Sequence, residues 1–169
     1  MSRPQQATSV GSTLPMLIGF GLLVAAHFGV RPLFTGRASV DFFVIAVLFA
    51  AVRLRPGIAA VVGCLSGLTI DAFAPGSFGA ATLVMSCIAF GASWTKAVFF
   101  ADHFALTTAF LFVGKWTFDI GYLLVGGGTR GTELMVQLLI WAPLSAACTA
   151  LVGLLLVATF RPLLRPRGG

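Results

Sequence analysis

Lys115 and Asp119 are the side chains most suited to chemistry inside the membrane, because both fall in the middle of a long apolar segment. Their i, i+4 spacing places them on one helix face, with Thr108 and Tyr122 along the same stripe. A charge at the centre of a bilayer costs at least about 2.5 kcal/mol, and an opposite charge one turn away reduces that cost. The pattern predicts an internal ion pair facing the helix bundle. A polar groove for a partner helix, or part of a substrate or proton path, are the alternatives.

A second candidate site is the ridge formed by Gly63, Gly67 and Asp71, which are spaced i, i+4, i+8. On a helix, these positions form a narrow stripe of two bare glycines that leads to a carboxylate. Glycines let a neighbouring backbone approach closely within a membrane. The ridge therefore predicts helix packing or a partner contact. Asp71 either hydrogen-bonds the following turn, pairs with a cation on another helix, or meets a backbone amide of a partner.

The remaining polar residues do not form a catalytic or metal-binding set. Asp41 begins an apolar segment, where a carboxylate favours the positive end of the helix dipole, so we expect it to cap that helix. His27 and His103 are far apart and have no acid at ligand spacing. GxSxG, HExxH and paired general acid–base carboxylates are all missing from the sequence. We predict a protein that is not an enzyme and needs neither a metal nor a cofactor.

The composition indicates that the elements carrying these residues are membrane helices. Of 169 residues, 58% are hydrophobic and 9% are charged, whereas a soluble domain is about a quarter charged. The net charge of +6 comes mostly from basic residues between apolar segments, and no basic run is interleaved with aromatics. Nucleic acid is therefore not an expected partner. Six apolar segments are predicted: Leu14–Val30, Val40–Val52, Gly57–Phe73, Phe78–Trp94, Phe104–Val125 and Leu134–Phe160.

The distribution of basic residues predicts the orientation of these segments. With the N-terminus in the cytoplasm, seven basic residues outside the segments fall on the cytoplasmic side and three on the other. Both termini are then cytoplasmic. The predicted organisation is a leader at 1–13, a single six-helix membrane domain at 14–160 and a basic cytoplasmic tail at 161–169. The second segment is the shortest, and Arg53-Leu54-Arg55-Pro56-Gly57 is a helix stop and restart.

The glycine ridge and the residues after it resemble a known family. Gly63-x3-Gly67-x3-Asp71, followed by Pro75-Gly76-Ser77-Phe78-Gly79, resembles the central signature of the bacterial rod shape-determining MreD family. In that family, a glycine-rich helix ends in GLxxD, and a short loop with a glycine opens the next helix. The size, the six segments and the basic loop before the third helix also fit. The family is similar in architecture to the S components of energy-coupling-factor transporters.

The resemblance implies a non-enzymatic scaffold of the cell-elongation complex in the bacterial inner membrane. It implies MreC as the main partner, and MreB, RodA and a class B penicillin-binding transpeptidase as indirect partners. Arg53 and Arg55 are then candidates for contact with anionic lipid or with an acidic partner surface. The alternative function is a vitamin-binding, S-component-like subunit of an energy-coupling-factor transporter.

Overall fold

The computed structural model describes residues 18–25, 29, 40–95, 104–128 and 130–164. Its regular elements are all helical, as the sequence predicts, and this part of the chain contains no β-strand. A 3-10 turn at Pro75–Ser77 follows the third helix, and a π-helical turn at Gln137–Trp141 joins the last two. The helices are α1 (18–25), α2 (Phe42–Arg53), α3 (Pro56–Ala72), α4 (Ala80–Trp94), α5 (Phe104–Gly126), α6 (Thr132–Val136) and α7 (Ala142–Leu164).

Two helical runs are long and apolar enough to cross a membrane by themselves. They are Phe104–Gly126, with 23 residues, and Thr132–Thr159, with 28. The helices α2, α3 and α4 are apolar but shorter, with 12, 17 and 15 residues. At 1.5 Å per residue, α2 is about 18 Å long, whereas the hydrocarbon core of a bilayer is about 30 Å thick. The helix in the shortest predicted segment is thus also the shortest of these three.

The shortest of these helices, α2, lies in the core of the bundle. Ten of its twelve residues are buried, and it contacts α3, α4, α5 and α7. A helix that is apolar on every side lies either in the core of a protein or in contact with lipid. The sequence FFVIAVLFAAVR has that character, with a single charged residue at its end. The composition allows either position, and the contacts with four neighbouring helices place α2 in the core.

The break between α2 and α3 agrees with the predicted stop and restart. Helix α2 ends at Arg53, and α3 begins at Pro56 as its first helical residue. Proline suits this position because its missing N–H would have no helical partner there. Arg53 and Arg55 both lie exposed at this turn. They are at the end of the bundle opposite the Pro75–Gly79 loop, since α3 runs from one to the other.

The closest helix pair is α3 and α4, which pack along the predicted glycine ridge. A Cβ atom added to Gly63 would lie 2.5 Å from the carbonyl oxygen of Met85. One added to Gly67 would lie 2.5 Å from the carbonyl oxygen of Ala81. Both contacts are with backbone, so no side-chain rotation relieves them. The two helices can approach this closely only because hydrogen occupies both positions.

The sixth predicted segment forms one helical run that contains a local widening. It begins at Thr132 and continues to Leu164, four residues into the predicted tail. Pro143 follows the π-helical turn and has no N–H to donate to the carbonyl one turn earlier. The wider turn accommodates this loss, and the N–H of Ala142 donates to Gln137, five residues back. The π-helical turn therefore begins at a polar residue, Gln137.

Candidate functional site

The predicted Lys115–Asp119 pair is part of a three-residue ionic cluster. Lys115 is 2% exposed, and its Nζ atom lies 2.5 Å from Asp119 Oδ1. The same Nζ atom lies 2.7 Å from Asp41 Oδ2. The Phe118 ring, whose centroid is 5.2 Å from Nζ, adds a cation–π contact. One ammonium therefore bridges two carboxylates that come from different parts of the chain.

The expectation that Asp41 caps a helix is met in position but not by a side-chain hydrogen bond. Asp41 does occupy the N-cap position of α2, but its side chain makes no capping hydrogen bond. Its carboxylate instead accepts a hydrogen bond from Lys115, 74 residues away. Its backbone N–H donates to Thr149 Oγ1 on α7 at 3.3 Å. Asp41 thus connects the start of α2 to both α5 and α7, a connection that local spacing could not reveal.

Asp71 is satisfied by hydrogen-bond donors at the start of α4. Its Oδ1 atom accepts from the Ala81 N–H at 3.1 Å, and its Oδ2 atom accepts from the Thr82 N–H at 2.9 Å. The Thr82 hydroxyl donates a third bond to Oδ2 at 2.6 Å. The first N–H groups of a helix have no partner within the helix, so a carboxylate placed there satisfies them and favours the positive dipole end. Asp71 therefore caps α4 from the end of α3.

The contacts of the glycine ridge are with another helix of the same chain. Gly63, Gly67 and Asp71 all face α4 of the same chain, and the bare glycine positions are filled by α4 backbone. Asp71 bonds past the following turn, and its described partners are amides and a hydroxyl rather than a cation. The ion pairs described for Lys115 are with Asp41 and Asp119, not with Asp71. The ridge therefore packs α3 against α4 within one molecule.

A cavity of about 300 Å³ lies between α5 and the helical run that contains the π-helical turn. Its polar lining comes from Asp119, Tyr122, Glu133, Gln137 and Ser145. The sequence placed Tyr122 on the stripe of Lys115 and Asp119. It did not indicate the contribution of the sixth segment, because Glu133, Gln137 and Ser145 follow no recognisable motif. Pro143, which lies beside the π-helical turn, is the local sequence signal of an irregular helix at this place.

A second cavity, of about 410 Å³, adjoins the first and shares Tyr122 and Leu123 with it. It is lined by the Pro75–Gly79 loop, through Gly76 and Ser77, and by the end of α5. The hydroxyls of Tyr122 and Ser77 are 2.7 Å apart and form a hydrogen bond. Together, the two cavities lie along α5 from Asp119 to the end of the helix at Gly126, near this loop.

Several sequence-based candidates do not contribute to this site. His27, His103, Lys96 and the predicted leader lie outside the described residues, as do 165–169 of the predicted tail. The described cysteines are free thiols, with Cys64 and Cys148 partly buried and Cys87 exposed. In the ranges that the structure describes, no three His, Cys, Asp or Glu side chains are grouped as metal ligands would be.

Comparison with known proteins gives one match. The family model described as rod shape-determining protein MreD matches residues 10–165, which is nearly the whole chain. The searches of curated proteins and of solved structures found no match.

Proposed function

Because this chain belongs to the MreD family of rod shape-determining proteins, we propose that it is a multi-pass membrane scaffold for cell elongation. Proteins of this family are bacterial membrane proteins and part of the MreBCD shape complex. The family is a structural one and is not known for enzymatic activity. The match over residues 10–165 is the observation that carries the proposal, since it includes both buried carboxylate sites and the loop between α3 and α4.

The way the polar side chains are used supports a structural role. Lys115, Asp41 and Asp71 are directed at other helices of the same chain. They hold together helices that are distant in sequence, which stabilises one arrangement of the bundle. A protein that presents fixed helix surfaces to partners needs such an arrangement.

The proposed topology has six membrane-spanning segments in one domain, with both termini in the cytoplasm. Arg53 and Arg55 are then cytoplasmic, whereas the Pro75–Gly79 loop and the end of α5 face outward. Single cysteines placed at Gly57 and Gly76, in a background lacking Cys64, Cys87 and Cys148, test this arrangement. A membrane-impermeant thiol reagent added to intact spheroplasts should label position 76 and spare position 57. The reverse labelling would contradict the proposed orientation.

MreC is the proposed direct partner, with MreB, RodA and a class B penicillin-binding transpeptidase reached through the assembled complex. Affinity capture of the tagged chain in mild detergent, after co-expression with MreC from the same bacterium, should recover MreC. Recovery of an ATPase module without MreC would contradict the scaffold. None of the comparisons supports the alternative of a vitamin-binding transporter subunit.

Arg53 and Arg55 are proposed to contact anionic lipid at the cytoplasmic surface. Both side chains are exposed at the turn between α2 and α3, and each basic residue near an anionic surface contributes about 1 kcal/mol. Reversing both charges to glutamate should weaken binding of anionic lipid to the purified protein. Unchanged lipid binding, with topology and MreC recovery also unchanged, would refute this contact.

A further inference from the structure

The exposed apolar surface of the bundle is tall on the side of α5 and of the run from α6 to α7. On α5, large exposed apolar side chains extend from Phe104 to Val125, which is about 32 Å at 1.5 Å per residue. On the run from α6 to α7, they extend from Met135 to Leu155, which is about 30 Å. The hydrocarbon core of a bilayer is about 30 Å thick. This side of the bundle therefore fits a bilayer of ordinary thickness.

The exposed apolar surface formed by α3 and α4 is shorter. On α3, the large exposed apolar side chains extend from Ile58 to Phe73, which is about 22 Å. On α4 they end at Trp94, and the whole helix of 15 residues is also about 22 Å long. Arg55 directly precedes α3, so the apolar surface of that helix does not continue beyond it. Both helices are about 8 Å short of the thickness of the hydrocarbon core.

The composition of this face indicates that lipid covers it. The α4 helix contains no charged residue, and the single charged residue of α3, Asp71, is buried against α4. At the start of α3, the exposed side chains of Arg53 and Arg55 place positive charge beside the apolar surface. An anionic lipid complements both features, because its acyl chains cover the apolar side chains and its headgroup faces the two arginines.

Tilting does not adapt a short helix to a thick bilayer. Tilt reduces the height that a helix spans, so it accommodates an excess of length but not a deficit. A deficit is accommodated by a thinner bilayer, by flanking side chains that extend to the interface, or by association with other helices. Arg53 and Arg55 can extend at one end of α3, whereas residues 73–79 at the other end include no charged side chain. A thinner bilayer is the response that suits both ends.

We propose that the face formed by α3 and α4 is a contact surface for lipids with short acyl chains, and that the bilayer is thinner there than beside α5. This contact rests on the proposed topology, in which α3 and α4 cross the membrane. One bundle then meets the bilayer at two different thicknesses. Lipids with short chains collect beside α3 and α4, because they fit this height without deforming the bilayer.

Quenching of tryptophan fluorescence by brominated lipid measures this preference on each side of the bundle. One chain keeps only the exposed Trp116, which reports on α5. In the other chain, phenylalanine replaces Trp94, Trp116 and Trp141, and Leu65→Trp reports on an exposed position in the middle of α3. Each chain is reconstituted in phosphatidylglycerol that carries dibromostearoyl chains, which quench. Phosphatidylglycerol with dimyristoleoyl chains is the short competitor, and the same lipid with dioleoyl chains is the control for chain length.

At Leu65→Trp, the dimyristoleoyl lipid should relieve quenching about threefold better than the dioleoyl lipid, and at Trp116 it should do no better. The same preference at both positions would overturn the proposal. Normal quenching at Trp116 with none at Leu65→Trp would also overturn it, because a second copy or another protein would then cover α3. Thiol labelling at positions 57 and 76 tests the topology independently. Labelling from opposite sides combined with equal lipid preferences therefore refutes the short-chain contact alone.

A second measurement retains the native tryptophans, so it does not depend on how their replacement affects folding. Cys87 is exposed at the middle of α4, and Val113 is exposed near the middle of α5. A nitroxide is attached to Cys87, or to Val113→Cys, with the other native cysteines replaced by alanine. Its collision rates with oxygen and with a water-soluble nickel complex report its depth. In dioleoyl phosphatidylglycerol, the label on α4 should lie nearer to the membrane surface, and equal depths would overturn the proposed thinning.

Discussion

Asp71 and Asp119 are both carboxylates on helices of one apolar bundle, yet they are stabilised in different ways. Asp71 accepts three hydrogen bonds from Ala81 and Thr82, which are 10 and 11 residues away. Asp119 depends on the ammonium of Lys115, which it shares with Asp41. The first arrangement satisfies a charge with the free N–H groups of a neighbouring helix and adds no second ion. The second holds one buried ammonium and two partly buried carboxylates together and gives α2, α5 and α7 a common contact.

The difference has a consequence for what each site can tolerate. The Asp71 site is built from adjacent segments and depends on how closely α3 and α4 approach. The Lys115 cluster is built from distant segments and depends on its charge balance, since removing one member leaves buried charges uncompensated. Substitutions at the cluster should therefore have larger effects than substitutions at the helix cap.

Replacing Lys115 with leucine should have the largest effect. The change leaves two partly buried carboxylates without the Lys115 ammonium, and breaking a fully buried ion pair from one side costs about 3–5 kcal/mol, which is the upper limit here. The amount of protein in the membrane and its thermal unfolding midpoint should both fall strongly. Combining Lys115→Leu with Asp41→Asn and Asp119→Asn should recover much of the loss. Normal accumulation of the single variant would show that the cluster does not stabilise the bundle.

Replacing Gly67 with alanine should have the next largest effect, because it forces α3 and α4 apart. The new Cβ atom would lie within 2.6 Å of three backbone atoms of Ala81 and Thr82. Overpacking of this kind costs about 1–3 kcal/mol, and it also moves the donors of Asp71. Gly91→Ala on α4 is the matched control, since nothing lies within 4 Å of its added Cβ. Equal unfolding midpoints for the two variants would contradict close packing at the ridge.

Replacing Thr82 with valine should have a moderate effect on the cap alone. It removes the hydroxyl that bonds Asp71 at 2.6 Å but keeps both backbone donors. Hydrogen bonds between membrane helices contribute about 0.6 kcal/mol on average, with a maximum near 1.7 kcal/mol. The unfolding midpoint in detergent should lie below that of the wild-type protein and above that of Gly67→Ala. A fall in the midpoint as large as that of Lys115→Leu would contradict the expectation that the cap contributes less stability than the Lys115 cluster.

Replacing Tyr122 with phenylalanine should have the smallest effect. Tyr122 lies three residues after Asp119 and bonds Ser77 in the loop that follows the Asp71 helix, so it links the two regions. The change removes one hydrogen bond of about 0.6 kcal/mol and retains the stacking on Phe118. In a double-mutant cycle with Ser77→Ala, the coupling should equal the effect of the single variant. Additive effects would show that the hydroxyls do not interact.

The sequence predicted most of the fold because membrane helices are defined by local composition. The apolar segments and the break at Pro56 can each be recognised within about twenty residues. The extension of α7 to Leu164 was missed, since Arg161 and Pro162 suggested a tail although neither residue ends the helix. At the helix ends, composition is a weaker guide than the tertiary contacts that hold the last turn.

The candidate site was predicted only where its members are close in sequence. The i, i+4 spacing revealed Lys115 and Asp119, and the i, i+8 ridge revealed Asp71. Asp41 is 74 residues from Lys115, so its role depends on how α2 and α5 pack. The polar residues of the sixth segment reach the cavity for the same reason. Which distant helices become neighbours is decided by the whole bundle, and no single segment carries that information.

The central position of α2 also affects the order in which the protein is made. Helix α2 is synthesised before all four helices that surround it, namely α3, α4, α5 and α7. At about 5–20 residues per second, the ribosome needs about 4–15 s to advance the 74 residues from Asp41 to Lys115. Asp41 is therefore synthesised several seconds before Lys115, the ammonium that it bonds in the folded bundle. The arrival of α5 is therefore the step of biogenesis at which the charge of Asp41 is first balanced by Lys115.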